Sequence, residues 1–396
     1  MADNPADKLR AFQDELAAIR RDIHRHPETA FQEERTAGIV AAKLAEFGVE
    51  VSRGLARTGV VGTLRGRRPG ARAIGLRADM DALNLEEQNA FAHRSVHAGK
   101  MHACGHDGHT AMLLGAARYL AQNPAFAGTV HFIFQPAEEG EGGARVMLEE
   151  GLFERHRCDA VYGMHNMPGL AAGHFAIRPG AMLASSDSWT ATFRGTGGHG
   201  AMPERGTDPT LPAAAFVLAT QTIVGRNVAS HDAAVVSVGH LQAGSFAAPN
   251  VIPAQVVVRG TARSFARATR DLIERRLGEL ARGIAQAHGC EAQLDYERRY
   301  PVLVNAAEQT RIAMDAAAMT VGADKVDGDT PPLAGAEDFA FMLERKAGAY
   351  IAIGNGSGAG GSHNVHTPHY DFNDEILATG AAYWVNLVRR ELGDGR

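Results

Sequence analysis

Met101-His102-Ala103-Cys104-Gly105-His106-Asp107-Gly108-His109 places three histidines, a thiol and a carboxylate beside two glycines. Cys104 and His106 lie two residues apart, a spacing that suits an irregular loop rather than one face of a helix. The apolar, periodic run at 111–120 follows at once and predicts a buried helix, so the cluster sits at a helix start. There a rigid element can hold a loop that bends thiolate and imidazole around one borderline-soft ion. Taken alone, the stretch also fits a histidine-rich polar loop, since the chain carries 18 His in 396 residues.

Outward from this stretch, short apolar runs at 59–64, 73–76, 129–134 and 160–163 are strands, and periodic segments at 8–25 and 33–47 are helices. The alternation predicts an α/β domain with a largely parallel sheet and helices on both faces. His24 and His26 close the first helix and read as structural. After residue 186 the pattern changes to strand 188–193, helix 209–224, strands 235–241 and 255–262, helix 267–288 and strand 291–296. That order, β-α-β-β-α-β, is ferredoxin-like. It predicts a unit at 184–298 inserted into a discontinuous domain formed by 1–183 and 299–396. The α/β texture then resumes with helix 309–318, strand 349–353 and helix 375–392. The glycine-rich stretch 354–361 reads as a mobile loop, because no Lys-Ser/Thr helix start follows it to make a phosphate cradle.

The polar residues fall where these strands end. Strand 73–76 runs into Asp79 and Asp81, strand 129–134 into Glu138-Glu139, strand 160–163 into His165, and strand 349–353 toward His363, His366 and His369. Open parallel sheets bind ligands beyond the carboxyl ends of their strands, so these donors and the Cys104/His106 loop gather at one edge as a metal site. Cys104, His106, Glu139, His165 and His366 are five candidate ligands, more than one catalytic zinc takes from protein. Two divalent ions about 3.5–4 Å apart would use them. Adjacent Glu138 and Glu139 can then divide the work, one ligating and the other serving as general base. A Glu-Glu pair at a solvated loop end is the plainer alternative.

Composition bounds the rest. With 45% hydrophobic residues the chain can bury a large core and build two domains, and a net charge of −5 offers no footprint for nucleic acid. No run of 18 apolar residues predicts a membrane span, and residues 1–7 lack the pattern of a secretory signal. Three cysteines, Cys104, Cys158 and Cys290, form no disulfide framework. The last two read as buried or half-buried. A cytoplasmic, soluble protein is expected.

The motifs Arg77-Ala78-Asp79-Met80-Asp81-Ala82-Leu83, residues 101–109, Gln135-Pro136-Ala137-Glu138-Glu139, Gly197-Gly198-His199-Gly200-Ala201-Met202-Pro203 and Gly335-Ala336-Glu337-Asp338-Phe339 together resemble the M20 metallopeptidase superfamily. The likeness is to its N-acyl-amino-acid amidohydrolase branch, of hippurate hydrolase and auxin-conjugate hydrolase type, and runs from about residue 21 to 374. It implies Cys104, His106, Glu139, His165 and His366 as ligands of two metals (Zn, Mn, Co or Ni) and Glu138 as base. Cys104 would stand where related peptidases carry a bridging aspartate. It further implies His199 as oxyanion donor, Asn250 and Arg263 as partners of the substrate carboxylate, and pairing through the inserted unit as a homodimer or dimer-based homo-oligomer. Asp81 would hydrogen-bond a ligand histidine and fix its tautomer. His102, His109, His363 and His369 would be supporting or surface residues. Asn84-Leu85 departs from the Pro and β-branched residue expected there, which affects loop geometry alone.

The resemblance implies hydrolysis of the amide joining an acyl group to a free amino acid, with hippurate-like and N-acetyl amino acids as the small-molecule substrates. A dipeptidase or carboxypeptidase on the same ions is the alternative, although no residue announces itself as partner for a free α-amino group. A metal-binding protein without catalysis is a third reading, and an unliganded base beside a full ligand set argues against it.

Overall fold

Strands Arg68–Asp79, Ala127–Gln135, Ala160–Pro168 and Gly348–Gly356 lie parallel at the centre of an eight-stranded sheet. Their register sets Asp79 opposite Gln135, Arg77 opposite Gly163 and Ala352 opposite His165, which brings their carboxyl ends to one edge. On one flank Gly59–Arg65 and Glu50–Leu55 add antiparallel strands, and on the other come Phe175–Ala176 and Val326–Asp327. All of Gly348–Gly356 and residues 73–79 are buried. Alternate strand residues point to opposite faces, so both faces of the sheet are covered.

The computed structural model describes residues 5–357 and 363–393. Within it, one unit comprises Met1–Met182, Val304–Pro331 and Asp338–Arg396, and a second comprises Leu183–Leu303 and Pro332–Glu337. In the first unit, helix His106–Gln122 is buried at every residue from 106 to 117. Gly115 permits its close packing: a Cβ there would lie 2.9 Å from Leu16 Cδ1 and 3.1 Å from Ala381 Cβ, on helices Gln13–Arg25 and Leu377–Leu392.

Two expectations need adjusting. The helix expected at 8–25 is divided into Pro5–Arg10 and Gln13–Arg25, because the backbone tightens to three-residue turns at Ala11 and Phe12. Phe12 there packs beneath the Arg118 guanidinium, 3.9 Å from its ring centre. Strand Glu50–Leu55 was not anticipated, since as an edge strand it buries Leu55 alone. The glycine-rich stretch read as a mobile loop lies partly, from 358 to 361, outside the described residues.

The second unit holds a four-stranded antiparallel sheet in the order Ala234–Ala243, Gln255–Ser264, Ser186–Arg194, Glu291–Tyr300, with helices Thr210–Thr222 and Arg267–Ala287. The helices cover one face through Trp189, Phe193, Phe216, Val258, Ile273 and Leu277. Arg270 is paired with buried Asp187, which also accepts from Tyr296. Strand Ala234–Ala243 is an edge strand and leaves Val235 and Leu241 exposed. Among the described residues no helix is long and apolar enough to cross a membrane.

One buried histidine makes the first unit acid-sensitive. His131 shares a 3.0 Å hydrogen bond with Thr63 Oγ1, and its ring lies 5.3 Å from that of His156. Burial, then the neighbouring His156, lowers its pKa to about 4. The unfolded chain therefore takes up the proton first, near pH 6.5, so stability present above that pH is lost as pH falls toward 4. Replacing His131 with Asn should reduce the loss of unfolding free energy between pH 7 and 4.5, read from urea titrations, by about 2–3 kcal/mol. An unchanged loss would contradict this assignment.

Candidate metal centre

The loop before helix His106–Gln122 is shaped by Gly105, whose φ of 94° is left-handed. A Cβ there would also fall 2.3 Å from Asn166 Nδ2 and 2.5 Å from Tyr370 Oη. This close approach sets Cys104 and His106 on either side of a sharp bend. Cys104 Sγ lies 3.3 Å from His165 Nε2, and His106 Nδ1 lies 3.2 Å from Asp81 Oδ1. His366, itself at φ 64°, is tied by its N–H to Ala103 O at 2.7 Å and sets Nε2 3.1 Å from Glu139 Oε1.

Two sets of donors emerge, Cys104/His106/His165 and Cys104/Glu139/His366, with the ligand atoms of each set within 4.8 Å of one another. They share the Cys104 sulfur. All five candidate ligands therefore converge, and Glu138, 7% exposed, stands beside them with Oε1 accepting the Asp338 N–H at 3.3 Å. His106, Glu138 and Glu139 form a further cluster of the same size.

The donors fit a cation. His106 Nε2 is buried without a hydrogen-bond partner, 3.7 Å from Asp79 Oδ2 and 4.0 Å from Glu139 Oε1. His165 donates Nδ1–H to the Asn166 carbonyl at 2.6 Å, which leaves its Nε2 bare toward Cys104. Burial and then His109 hold His165 well below the usual imidazole range, so it is neutral as a ligand must be. Burial, then Glu139 and Glu138, push the Cys104 thiol well up, so a thiolate here requires a positive partner. At His106 burial is outweighed by Asp79, Asp81 and Glu139, which raise it to about 10. A cation on Nε2 would answer the same negative field. Thiolate, imidazole and carboxylate together suit zinc and its first-row neighbours.

The surrounding network contains residues that motif reading left without a role. Asp79 accepts from His109 Nδ1 at 2.6 Å and from Arg77 at 2.6 Å, and burial opposes but His106, Arg77 and His109 hold it well below the carboxylate range. His109 Nε2 then accepts the Asn166 N–H at 3.0 Å, while Asn166 Nδ2 donates to Cys104 O at 2.6 Å and Tyr370 to Asn166 Oδ1 at 2.7 Å. Arg77, Gln135 and the Ala144 N–H fix Asp338. His24, expected to be structural, is buried between Asp107 at 2.9 Å and Glu87 at 3.3 Å. His102 is wholly buried, and His363 and His369 are exposed. The contacts of His109 join residues more than 25 positions apart, so only its spacing within the motif could have hinted at them.

In the second unit, His199 pairs with Val251 across a two-residue ladder, and its Nδ1 accepts the Ala201 N–H at 3.1 Å. In the neutral ring that leaves the proton on Nε2, an available donor. Asn250 is exposed and accepts the Gly200 N–H through its carbonyl at 2.8 Å. Arg263, half-buried on strand Gln255–Ser264, donates to the Ala262 carbonyl at 3.0 Å.

Residues 75–390 match the model of Peptidase family M20/M25/M40. A hippurate hydrolase of Campylobacter jejuni is 42% identical over 96% of this chain and 97% of its own. An N-acetylcysteine deacetylase of Bacillus subtilis is 37% identical over 97% and 98%. Among solved structures, the Bacillus subtilis YXEP protein, a dinuclear metal binding peptidase, superposes with a TM-score of 0.84 at 34% identity, covering 97% of this chain and 99% of that one. The chain belongs to peptidase family M20.

Proposed function

We propose that this chain is a metal-dependent amidohydrolase that cleaves the amide bond of N-acyl amino acids, hippurate-like or N-acetylated. The observation that carries this reading is the pair of donor sets sharing Cys104, with Glu138 next to Glu139. The near full-length similarity to a hippurate hydrolase and an N-acetylcysteine deacetylase supports the substrate class.

Cys104, His106, Glu139, His165 and His366 would hold two divalent ions. Such ions supply Lewis acidity, polarising the amide carbonyl and lowering the pKa of water toward about 7. Glu138 takes the proton of the attacking water and returns it to the leaving amine. Its Oε1 accepts the Asp338 N–H, which holds the carboxylate beside the ligand set. His199 donates Nε2–H to the tetrahedral oxyanion. Asn250 and Arg263 bind the carboxylate of the amino-acid half, the guanidinium as a fork. Asp81 and the Asn166 carbonyl orient His106 and His165 through their Nδ1 atoms.

The assembly is a homodimer, or a homo-oligomer of dimers, formed through the second unit. In support, that unit exposes Val235 and Leu241 on an edge strand, and Leu211 and Leu218 on helix Thr210–Thr222. A cytoplasmic location is supported by three free cysteines, one of them the shared ligand.

Two measurements test these readings. With metals reconstituted, N-benzoyl and N-acetyl amino acids should turn over faster than dipeptides, and Glu138→Gln should lower kcat by roughly 10²–10⁴-fold while metal content is retained. Faster release from dipeptides would move the assignment to a dipeptidase or carboxypeptidase, and no turnover by the metallated chain would favour a binding protein. Light scattering on the eluting protein should give twice the mass of one chain, and Leu218→Glu with Leu241→Lys should shift it toward one. A monomeric wild type would exclude the dimer.

A further inference from the structure

Glu33 is fully buried, and its carboxylate is occupied by three segments of the first unit. Oε1 accepts the Phe31 and Ala137 N–H groups, both at 3.0 Å, and Oε2 accepts the Thr58 hydroxyl at 2.6 Å. Each donor belongs to a turn that a side-chain-bearing residue rarely adopts. Phe31 has φ 60°, Ala137 has φ 56°, and Thr58 follows Ala56 at φ 48° and Arg57 at φ 70°. His366 is the one other non-glycine residue with positive φ among those described. Left-handed backbone is disfavoured for any residue with a Cβ and persists where the surroundings over-determine it. Here one carboxylate joins all three turns.

Glu33 is free for this because another residue does its local work. It stands at the N-terminal cap of helix Glu34–Glu46 without capping it through its side chain. The Glu28 carboxylate takes the orphan Arg35 and Thr36 N–H groups instead, at 2.9 and 2.8 Å.

The turn at Ala137 leads directly into Glu138-Glu139. On its far side the Glu139 N–H donates to Asp81 Oδ2 at 2.9 Å. The Ala137 carbonyl accepts the Gly143 N–H at 2.9 Å, and a Cβ on Gly143 would meet Pro136 O at 1.8 Å, so the loop closes tightly. The acidic pair is thus clasped at both ends, by Glu33 before it and Asp81 after it.

We propose that Glu33 is a positioning residue for the general base: its hydrogen bond to Ala137 N–H holds the left-handed turn that aims Glu138. This rests on the reading of Glu138 as base. Burial, opposed by the Thr58 hydrogen bond and reinforced by Asp81, raises Glu33 to about 7, so acceptor geometry rather than full charge is what the turn uses. A glutamine can supply that geometry, its oxygen accepting both N–H groups and its amide donating to Thr58.

The test compares Glu33→Ala, Glu33→Gln, Ala137→Gly and the double variant Glu33→Ala/Ala137→Gly with Glu138→Gln, reading kcat, KM, bound metal and thermal midpoint on N-benzoylglycine. Glu33→Ala should lower kcat about ten-fold, the order by which left-handed backbone is disfavoured for alanine, with KM and bound metal little changed. Glu33→Gln should recover most of that loss. In the Ala137→Gly background the loss on removing Glu33 should shrink, because glycine holds positive φ unaided. A kcat loss equal in both backgrounds, or a lowered thermal midpoint with unchanged kcat, would mark a purely structural role, and either result overturns the proposal. Inactive Glu138→Gln with unimpaired Glu33→Ala overturns the role of Glu33 alone, whereas active Glu138→Gln removes the base reading and this role with it. If Glu33→Ala does not fold, Glu33→Asp carries the same test: one methylene shorter, it should lose kcat, and wild-type kcat would overturn the proposal.

Discussion

Gathering three imidazoles, a thiol and two adjacent carboxylates within a few ångströms of one another, most of them out of water, imposes a charge problem that organises the first unit. Taking a charge out of water costs several kcal/mol unless it finds a partner. The chain answers in layers. Asp79 is paired with Arg77 and His109, Asp338 with Arg77 and Gln135, and Asp107 with His24 and Arg20. What these partners do not cover is the innermost set: the His106 Nε2 without a hydrogen-bond partner, the Cys104 thiol pushed upward by burial and two glutamates, and the His165 Nε2 met by that thiol at 3.3 Å. Two cations would supply the remaining compensation, and their binding energy would return as stability of the folded unit.

The same constraint explains where the backbone departs from regular geometry. Regular helices and strands satisfy their own peptide groups but cannot point several short side chains at one spot. The candidate ligands therefore sit on turns just past strand ends, or at a helix start, anchored by a sheet buried on both faces. Left-handed residues collect along these turns, at Gly105, Ala137 and His366. Each is restrained from outside: Gly105 by the lack of a side chain beside Asn166 and Tyr370, Ala137 by Glu33, and His366 by the Ala103 carbonyl.

Much of this was legible in the amino-acid sequence because the informative signals are local. Apolar runs followed by acids or histidines locate the strand ends, and the Cys104/His106 spacing marks a bend, so the convergence of the five donors follows from the sheet's parallel order. A hydrogen bond between Asp81 and one of the candidate ligand histidines was expected, and the structure supplies His106 as its partner. Side chains whose partners are distant in sequence were not legible: Glu33 reaches Ala137 across 104 positions and Arg77 reaches Asp338 across 261. Nor was the division of the first helix at Ala11 and Phe12, where Phe12 meets Arg118 from far along the chain, or the exposed edge strand Glu50–Leu55, which lacks an apolar pattern. Periodicity reports which face a residue occupies; it does not report what a buried polar group finds there.

The central claim is that one sulfur is shared by two metal ions. Anomalous diffraction from crystals of the metal-reconstituted enzyme tests it most directly. The account predicts two peaks, both in contact with Cys104 Sγ, one also touching His106 and His165 and the other Glu139 and His366. A single peak, or two peaks away from Cys104 in an enzyme that turns over N-acyl amino acids at full rate, would contradict it.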